Sequence, residues 1–339
     1  MGSRVVVTGA NGFIGSHLVE RLLERGDDVR AMVRKTARLD NLEGCAPTLV
    51  HASLADTDSM AAAFDGAEIV YHVAGLTAAF TRAEFDRANL EGTRNVLAAI
   101  QAARRPPRRL VLVSSLMAAG PSHPEVARRE HHSPRTDVTL YGDSKLAGER
   151  FCAWYHAQHG VDVRSLRYPG LISWKTPPGG GTTDYAVEIF HAAIRQGRYT
   201  SFLSADTRLP MMYMPDAIRA TLELMEAPAE CVRQRGSYNV AGVSFTPEEI
   251  ARAIARRVPG FRLECAADFR EAIARSWPQC IDDSDARRDW GWQPCYDLQA
   301  MVTDHEGTAE EIVERAERAL AEVARDDSQN DIQPSGDLL

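Results

Sequence analysis

Cysteine is scarce in this chain, and its few residues are widely separated. The six cysteines contain no Cys-x-x-Cys pair and lie at Cys45, Cys152, Cys231, Cys265, Cys280 and Cys295. A metal site built on cysteine and histidine needs ligands clustered at short spacings, so the sequence predicts no metal. Scattered cysteines are typical of proteins kept in a reducing compartment. We therefore expect free thiols and a cytoplasmic protein.

The chain also lacks long apolar runs and an excess of positive charge. No apolar stretch approaches the roughly 20 residues that a helix needs to cross a bilayer. The 39 basic and 47 acidic residues give a net charge of −8, which argues against nucleic acid as the main partner. The sequence thus predicts neither a membrane nor a nucleic-acid partner, and a small molecule is the expected ligand.

What the sequence does contain is an alternation of short β-branched segments and helical segments. The first segment, Arg4 to Thr8, is apolar enough to be a strand buried on both faces, and a sixth strand is expected at Val161 to Arg167. This alternation predicts an α/β fold, a Rossmann-type doubly wound parallel sheet with right-handed crossovers. After Tyr168-Pro169-Gly170 the alternation breaks at a loop rich in proline and glycine.

This break predicts the domain organisation of the 339 residues. We expect a dinucleotide-binding Rossmann domain over residues 1–170 and a smaller C-terminal substrate-binding lobe over residues 171–324, with returns to the main sheet. Thr246-Pro247-Glu248-Glu249 predicts the start of a helix in the second part, with Thr246 as its N-cap. The polar composition of residues 325–339 predicts a disordered tail.

A glycine-rich loop follows the first strand, with Gly9, Gly12 and Gly15 three residues apart. Glycines between a strand and a helix let the backbone approach a pyrophosphate, and the helix N-terminus offers free N–H groups. A tight turn alone is the other interpretation, but the strand–turn–helix context favours dinucleotide binding. The predicted cofactor-binding residues are Gly9, Asn11, Gly12, Phe13, Ile14, Gly15, Arg34, Ser53, Leu54, Val73, Ala74, Gly75, Asn89, Tyr141, Lys145, Tyr168 and Pro169.

The end of the second strand bears on the choice between NAD and NADP. A carboxylate there binds the ribose 2′-hydroxyl and repels a 2′-phosphate. The segment ends instead in Val33-Arg34-Lys35, whose cations suit a phosphate. Taken alone, these residues favour NADP, although Arg34 also fits an adenine-stacking or solvated position.

Tyr141-x-x-x-Lys145 begins a long predicted helix and is the candidate proton-handling pair. Residues four apart share a helix face, so the ammonium is expected near the phenol, where a positive charge lowers the phenol pKa from about 10. Ser115, at the end of the fifth strand, is expected to hold the reacting oxygen of the substrate. The alternative interpretation of a lone Tyr-x-x-x-Lys is a pair of residues on the surface of a helix, with no catalytic role.

These motifs occur in the order glycine loop, Ser114-Ser115 and Tyr-x-x-x-Lys. This order resembles the extended short-chain dehydrogenase/reductase superfamily. The resemblance implies a nicotinamide-dependent oxidoreductase. Asn89 resembles the helix asparagine of that superfamily, with a helix cap as the alternative. Superfamily dimers commonly pair the helices that here begin near Phe85 and Tyr141. We therefore expect a homodimer, with a monomer as the alternative.

Several segments of the second half resemble the short-chain-type L-threonine 3-dehydrogenases more specifically. These segments are 166–173, 177–189, 206–216 and 276–283. The resemblance implies oxidation of the 3-hydroxyl of L-threonine to 2-amino-3-ketobutyrate with NAD. Because the fold does not fix the substrate, an NADP-dependent reductase or a sugar-nucleotide epimerase or dehydratase of the same superfamily is the alternative. A non-catalytic dinucleotide sensor is disfavoured by the intact acid–base pair.

An amino acid substrate needs an anion for its ammonium group and donors for its carboxylate. Asp184 is the expected partner of the ammonium, the loop at Gly180, Thr182 and Thr183 is expected to hold the carboxylate, and Trp277 is expected to close over the methyl group. A helix cap and a core aromatic are the alternatives for Thr182 and Trp277. The predicted substrate-binding residues are Thr77, Ser115, Tyr141, Gly180, Thr182, Thr183, Asp184 and Trp277.

The first half departs from the threonine dehydrogenase pattern. It carries no acid at the end of the second strand, and Leu116-Met117-Ala118-Ala119-Gly120 lacks the aromatic residue that usually precedes the glycine. The residues and the resemblance therefore disagree about the cofactor. We expect NAD from the resemblance, with NADP as the alternative.

Overall fold

The computed structural model describes residues 2–77, 81–119, 128–129, 139–173 and 181–306. Its strands are β1 (Arg4–Thr8), β2 (Asp28–Val33), β3 (Thr48–His51), β4 (Ile69–His72), β5 (Arg109–Ser115), β6 (Arg128–Arg129), β7 (Asp162–Tyr168), β8 (Gly170–Ile172), β9 (Arg198–Ser201), β10 (Leu209–Tyr213), β11 (Tyr238–Asn239), β12 (Val243–Phe245), β13 (Arg262–Cys265) and β14 (Cys280–Ile281).

Helices separate most of these strands. They are α1 (Phe13–Glu24), α2 (Thr57–Phe64), α3 (Arg82–Phe85), α4 (Gly92–Ala102), α5 (Leu140–His159), α6 (Tyr185–Gln196), α7 (Met214–Glu226), α8 (Pro247–Ala255), α9 (Phe269–Arg275), α10 (Ser284–Trp290) and α11 (Leu298–Glu306). A π-helical turn at Asp86–Glu91 joins α3 to α4.

A parallel sheet of seven described strands forms the main body, in the order β11-β7-β5-β4-β1-β2-β3. Strands buried on both faces explain the near-continuous apolar runs of the sequence. One face packs on α1 and α7 through residues such as Leu18 and Leu222. The other packs on α2, α4 and α5 through residues such as Phe64 and Ile100. The predicted Rossmann-type α/β fold is confirmed.

Parallel strands separated by crossovers place their carboxyl ends at one edge of the sheet. The loops after β1, β2, β3, β4, β5 and β7 therefore all emerge at this edge, which is where ligands bind in open α/β folds. The strand order changes direction between β1 and β4. The glycine loop thus lies at the switch point of the sheet.

The second half of the chain builds a smaller lobe and also returns to the main sheet. Strands β8, β10 and β12 form one small sheet, and β13 pairs with β9. A separate apolar core, which includes Ile189, Leu203 and Phe245, fills this lobe. The short β11 pairs with β7 in the main sheet. The segment 325–339, predicted as a tail, lies outside the described residues.

Two helices allow a direct comparison between the sequence prediction and the structure. Thr246 caps α8 as predicted, and Glu249 completes a reciprocal capping box. The helical spacing of the sequence also predicts a single helix from Phe85 to Ala103, and this prediction is wrong in detail. The structure has α3, the π-helical turn and α4 in its place, because Asn89 turns towards the loop after β4 rather than keeping the helical register.

All six cysteines lie within the described ranges, and no disulfide joins any two of them. Among the described residues, no group of three His, Cys, Asp or Glu side chains is arranged to hold a metal ion. No helix in that part of the chain is both long and apolar enough for a membrane span.

Candidate active site

The glycine loop between β1 and α1 has little room for side chains. Gly9 has a φ of +65°, and a Cβ there would lie 2.8 Å from Cα of Ala74. A Cβ at Gly15 would lie 2.1 Å from the carbonyl oxygen of Gly9. The Gly12 amide donates to that same oxygen at 3.0 Å. The spacing of three glycines therefore reflects a loop that folds onto itself and onto the residue after β4.

The N-terminus of α1 is suited to a pyrophosphate. Gly12 is its N-cap, no side chain caps the first turn, and no acidic residue lies there. The positive end of the helix dipole and the free amides around Phe13 and Ile14 therefore face the carboxyl edge of the sheet. Asn11 is held by its Nδ2, which donates to the carbonyl of Arg38 at 2.9 Å. These residues fit a dinucleotide.

Other predicted cofactor-binding residues lie at the same edge. Arg34 is exposed directly after β2, where Lys35 and Arg38 are its exposed cationic neighbours. Ser53 is exposed after β3, and its hydroxyl accepts from the Ala55 amide at 3.2 Å. Leu54 packs beside Gly92. The edge thus combines a phosphate-compatible loop with a cationic end of β2.

The loop after β4 is fixed by Asn89. The Asn89 side chain accepts from the Leu76 amide at 2.8 Å and donates to the Leu76 carbonyl at 2.9 Å. It also donates to Ser144 Oγ at 2.9 Å, and Ser144 in turn donates to the Tyr141 carbonyl. In this structure Asn89 holds the loop against α5, and its predicted contact with the cofactor stays a prediction.

Val73, Ala74 and Gly75 are placed where that loop meets the glycine loop. The Ala74 amide donates to Thr8 Oγ1 at 3.2 Å. A Cβ on Gly75 would lie 3.3 Å from Lys145 Nζ. Thr77 is exposed just beyond them. The cofactor loop, the β4 loop and Lys145 therefore form one continuous surface.

Tyr141 and Lys145 lie in the first two turns of α5, which Thr139 caps. Lys145 Nζ is 5.9 Å from the centroid of the Tyr141 ring and donates to the Val113 carbonyl at 3.2 Å. The Phe85 ring packs on Tyr141 with centroids 6.0 Å apart. The Ser115 hydroxyl, which accepts from the Met117 amide at 3.3 Å, lies close enough to Tyr141 to lower the pKa of its phenol. The structure thus brings together the three residues predicted for proton handling.

The pKa values of this pair differ from the simple expectation. Burial raises the pKa of Tyr141, and the nearby Ser115 hydroxyl lowers it by less. Burial lowers the pKa of Lys145 to about 8, against the opposing effect of the Glu149 carboxylate. The shift of the Tyr141 pKa is therefore opposite in direction to the predicted lowering, because desolvation of the phenolate outweighs the effect of Ser115.

Tyr168 does not present its side chain to the cofactor edge. Its hydroxyl donates to the Ala217 carbonyl at 2.7 Å and contacts Thr221 Oγ1, both on α7. The predicted cofactor contact therefore cannot involve the phenol. Only the backbone of Tyr168 and the adjoining buried Pro169 remain at the carboxyl end of β7.

The predicted substrate-binding residues of the lobe are less closely grouped. Asp184 accepts from the Gly181 amide at 2.5 Å, at the start of α6. Thr183 packs on Gly170, where a Cβ would lie 2.6 Å from Thr183 Cγ2. Thr182 is half-buried beside them. Gly180 lies outside the described residues. This cluster follows β8 at the junction of the sheet and the lobe.

Trp277 packs against the apolar core of the lobe, and its Nε1 is buried without a hydrogen-bond partner in the part of the chain that the structure describes. This packing agrees with the alternative interpretation of a core aromatic. Its predicted closure over a substrate methyl group remains a prediction.

Sequence reasoning missed two groups around the catalytic pair. Phe85 packs on Tyr141 from outside α5, and no local pattern signals that contact. Glu149 lies one turn after Lys145 on the same helix and forms a buried ion pair with Arg167. A signal for Glu149 existed, since an acid four residues after Lys145 shares its helix face.

A phosphate-compatible loop, a hydroxyl at the end of β5 and a half-buried Tyr–Lys pair on the next helix define the class. The fold and site are those of an oxidoreductase that uses a nicotinamide dinucleotide. The chain belongs to the NAD dependent epimerase/dehydratase family, whose model matches residues 5–241.

Comparison with individual proteins agrees with this membership. The chain is 39% identical over 315 residues to a mitochondrial L-threonine 3-dehydrogenase of Bos taurus, covering 88% of this chain and 81% of that protein. A GalE-like L-threonine dehydrogenase from Cupriavidus necator in its holo form is 46% identical, with a TM-score of 0.81 and coverage of 89% and 98%. A monomeric L-threonine 3-dehydrogenase from a metagenome is 36% identical, with a TM-score of 0.81 and coverage of 91% and 99%.

Proposed function

We propose that this chain is an L-threonine 3-dehydrogenase, which oxidises the 3-hydroxyl of L-threonine to 2-amino-3-ketobutyrate. The observation that carries the proposal is the joint placement of Ser115, Tyr141 and Lys145 beside the glycine loop. Similarity to threonine dehydrogenases over 88% or more of the chain supports the substrate. An epimerase or NADP-dependent reductase is less well supported, because these relatives span the lobe as well as the Rossmann domain.

The residues divide the work of the reaction. The nicotinamide supplies the hydride acceptor. Ser115 binds the reacting hydroxyl, and Tyr141 takes the proton of that hydroxyl as the hydride leaves Cβ. Lys145 is held by the Val113 carbonyl at 3.2 Å, which fixes its charge beside the phenol. Phe85 and Asn89 keep α5 and the β4 loop in register around the reacting atoms.

Tyr141 and Lys145 are expected to titrate as a pair. When the fully protonated pair loses one proton, the proton leaves either the Tyr141 phenol or the Lys145 ammonium, which gives two forms with the same number of protons. The pKa of Lys145, lowered to about 8 by burial, marks the first loss. We therefore expect the pair to become competent as a base as the pH rises through about 8.

A substrate screen tests the proposed function. The purified chain is incubated with NAD and either L-threonine or UDP-sugars, and the absorbance of reduced nicotinamide is followed. We expect reduction with L-threonine and no turnover of UDP-sugars. Added EDTA should leave the rate unchanged, because the predicted mechanism uses no metal. Absence of cofactor reduction by L-threonine rules the proposal out.

We propose NAD as the cofactor, which the family membership supports. The exposed cations Arg34 and Lys35 instead favour a 2′-phosphate. We expect kcat/KM with NAD to exceed that with NADP. Replacing Arg34 with serine should lower kcat/KM for NADP about tenfold, the loss of one charge-assisted hydrogen bond, and change the value for NAD little.

Arg108→Ser is the matched control for Arg34→Ser. Arg108 is also exposed but lies at the opposite edge of the sheet, where it pairs with Glu68 at 3.6 Å. The Arg108→Ser substitution should change neither kcat/KM for NAD nor kcat/KM for NADP. A kcat/KM that is higher with NADP in the unmodified chain would overturn the choice of NAD.

We also propose a cytoplasmic homodimer. Six cysteines that form no disulfide with one another are compatible with a reducing compartment. Trp154 on α5 is 52% exposed, and a dimer that pairs α4 and α5 with their counterparts would cover it. Sedimentation measures the oligomeric state, and we expect the mass of two chains. The alternative is a monomer, because one relative is described as monomeric.

A further inference from the structure

A buried ion pair lies directly behind the proton-handling residues. Glu149 and Arg167 are each 1% exposed. Arg167 Nε donates to Glu149 Oε1 at 2.8 Å, and Nη2 donates to Oε2 at 2.7 Å. Two parallel bonds of this kind fix both side chains in one geometry. A pair so deeply buried is costly to desolvate, and its contribution to net stability is small or negative.

The pair joins several elements of the site. Ser114 Oγ donates to Glu149 Oε1 at 2.7 Å, which ties the last part of β5 to α5. Arg167 Nη1 donates to Asn239 Oδ1 at 3.3 Å, and Asn239 donates to the carbonyl of Asp282. The network therefore runs from the strand that carries Ser115 to the segment next to β14.

The network also faces Lys145. Glu149 lies one helical turn beyond Lys145 on α5, which places it on the same face. From β4, His72 approaches Lys145, and burial together with the Lys145 charge lowers the pKa of His72 to about 3, so His72 is neutral. Tyr141 on α5 and the Asn89 amide complete the surroundings. Among the described residues, Glu149 and Arg167 are thus the charged groups behind the pair.

We propose that Glu149 and Arg167 are positioning residues whose opposite charges set the pH at which the Tyr141–Lys145 pair loses its first proton. The inference rests on the proposed function. A carboxylate close to the pair favours protonation, and a guanidinium opposes it. The two charges oppose each other, and removal of either leaves a buried charge of known sign. Glu149 is indeed a cause that raises the pKa of Lys145.

Isosteric amide variants test the sign of each contribution. In Glu149→Gln the uncompensated guanidinium should shift the acidic limb of kcat/KM for L-threonine oxidation to lower pH by about one unit. In Arg167→Gln the uncompensated carboxylate should shift it to higher pH by about one unit. The double variant removes both charges and should place the limb between those of the two single variants.

Charge-preserving variants separate this role from a structural one. Glu149→Asp and Arg167→Lys disturb the two-bond geometry, and each should lower the melting temperature while the limb stays in place. Shifts of both amide variants in the same direction, or no shift in either, would overturn the proposal. If Glu149→Gln does not fold, the pH profile of Arg167→Gln compared with that of Arg167→Lys tests the proposal. If Arg167→Gln does not fold, the pH profile of Glu149→Gln compared with that of Glu149→Asp tests it.

A second measurement does not need the substrate. Ultraviolet difference titration of each variant against the same variant carrying Tyr141→Phe follows the Tyr141 phenolate directly. The titration should shift in the same directions as the kinetic limb. If L-threonine is not oxidised at all, the proposed function fails, whereas this titration still decides the inference about Glu149 and Arg167.

Discussion

Replacing Tyr141 with phenylalanine is expected to lower kcat for threonine oxidation about 10³-fold, within the range of general acid–base contributions. The variant lacks the hydroxyl that accepts the substrate proton. Its ring still packs on Phe85, whose centroid lies 6.0 Å from that of Tyr141, so the fold of the site is retained. Steady-state kinetics give the loss, and a cofactor titration should show a dissociation constant close to that of the unmodified chain.

Tyr155→Phe is the matched control for this variant. Tyr155 lies farther along α5, where its ring packs against Trp154 and His159 away from the Ser115 hydroxyl. Its loss should leave kcat within about twofold, as for a substitution outside the reacting groups. A Tyr141→Phe protein that binds cofactor and keeps full activity would contradict the assigned role of the phenol.

Gly15→Ala is expected to weaken cofactor binding about 10- to 100-fold, equivalent to the usual cost of overpacking. The new Cβ would lie 2.1 Å from the Gly9 carbonyl oxygen, a backbone atom that cannot rotate away. The loop must then move from the N-terminus of α1. Calorimetric titration with NAD measures the loss, and a thermal melt should show lower stability in the absence of cofactor.

Gly236→Ala supplies the comparison for this change. A Cβ at Gly236 meets no atom within 4 Å, so the same substitution should leave both the affinity for NAD and the melting temperature nearly unchanged. An affinity of the Gly15→Ala protein equal to that of the unmodified chain would show that the glycine loop does not approach the cofactor.

The regular half of the fold could be predicted because its signals are local. The strand at Arg4–Thr8 and the capped helix at Pro247–Ala255 carry their instructions in adjacent residues. The start of α7 at Met214 carries no such local signal, because the helix follows directly on the apolar strand β10. The π-helical turn at Asp86–Glu91 was not predictable, since it depends on a bond between Asn89 and a distant loop.

In the candidate site, too, features with local sequence signals were predicted and features that depend on distant contacts were not. Ser115, Tyr141 and Lys145 were predicted from order and spacing, and the structure brings them together. The direction of the Tyr141 pKa was not predicted correctly, because burial depends on packing that spacing does not reveal. The pairing of Glu149 with Arg167 joins a helix to a strand beyond it, and a single sequence holds no record of that contact.

The most direct measurement uses L-threonine carrying deuterium on Cβ. The purified chain is incubated with this substrate and NAD, and the reduced cofactor and the product are analysed by mass spectrometry. The proposed function predicts deuterium in the reduced nicotinamide and 2-amino-3-ketobutyrate as the product. Formation of no reduced cofactor, or of reduced cofactor that lacks the deuterium, would contradict hydride transfer from the carbon whose hydroxyl proton Tyr141 accepts.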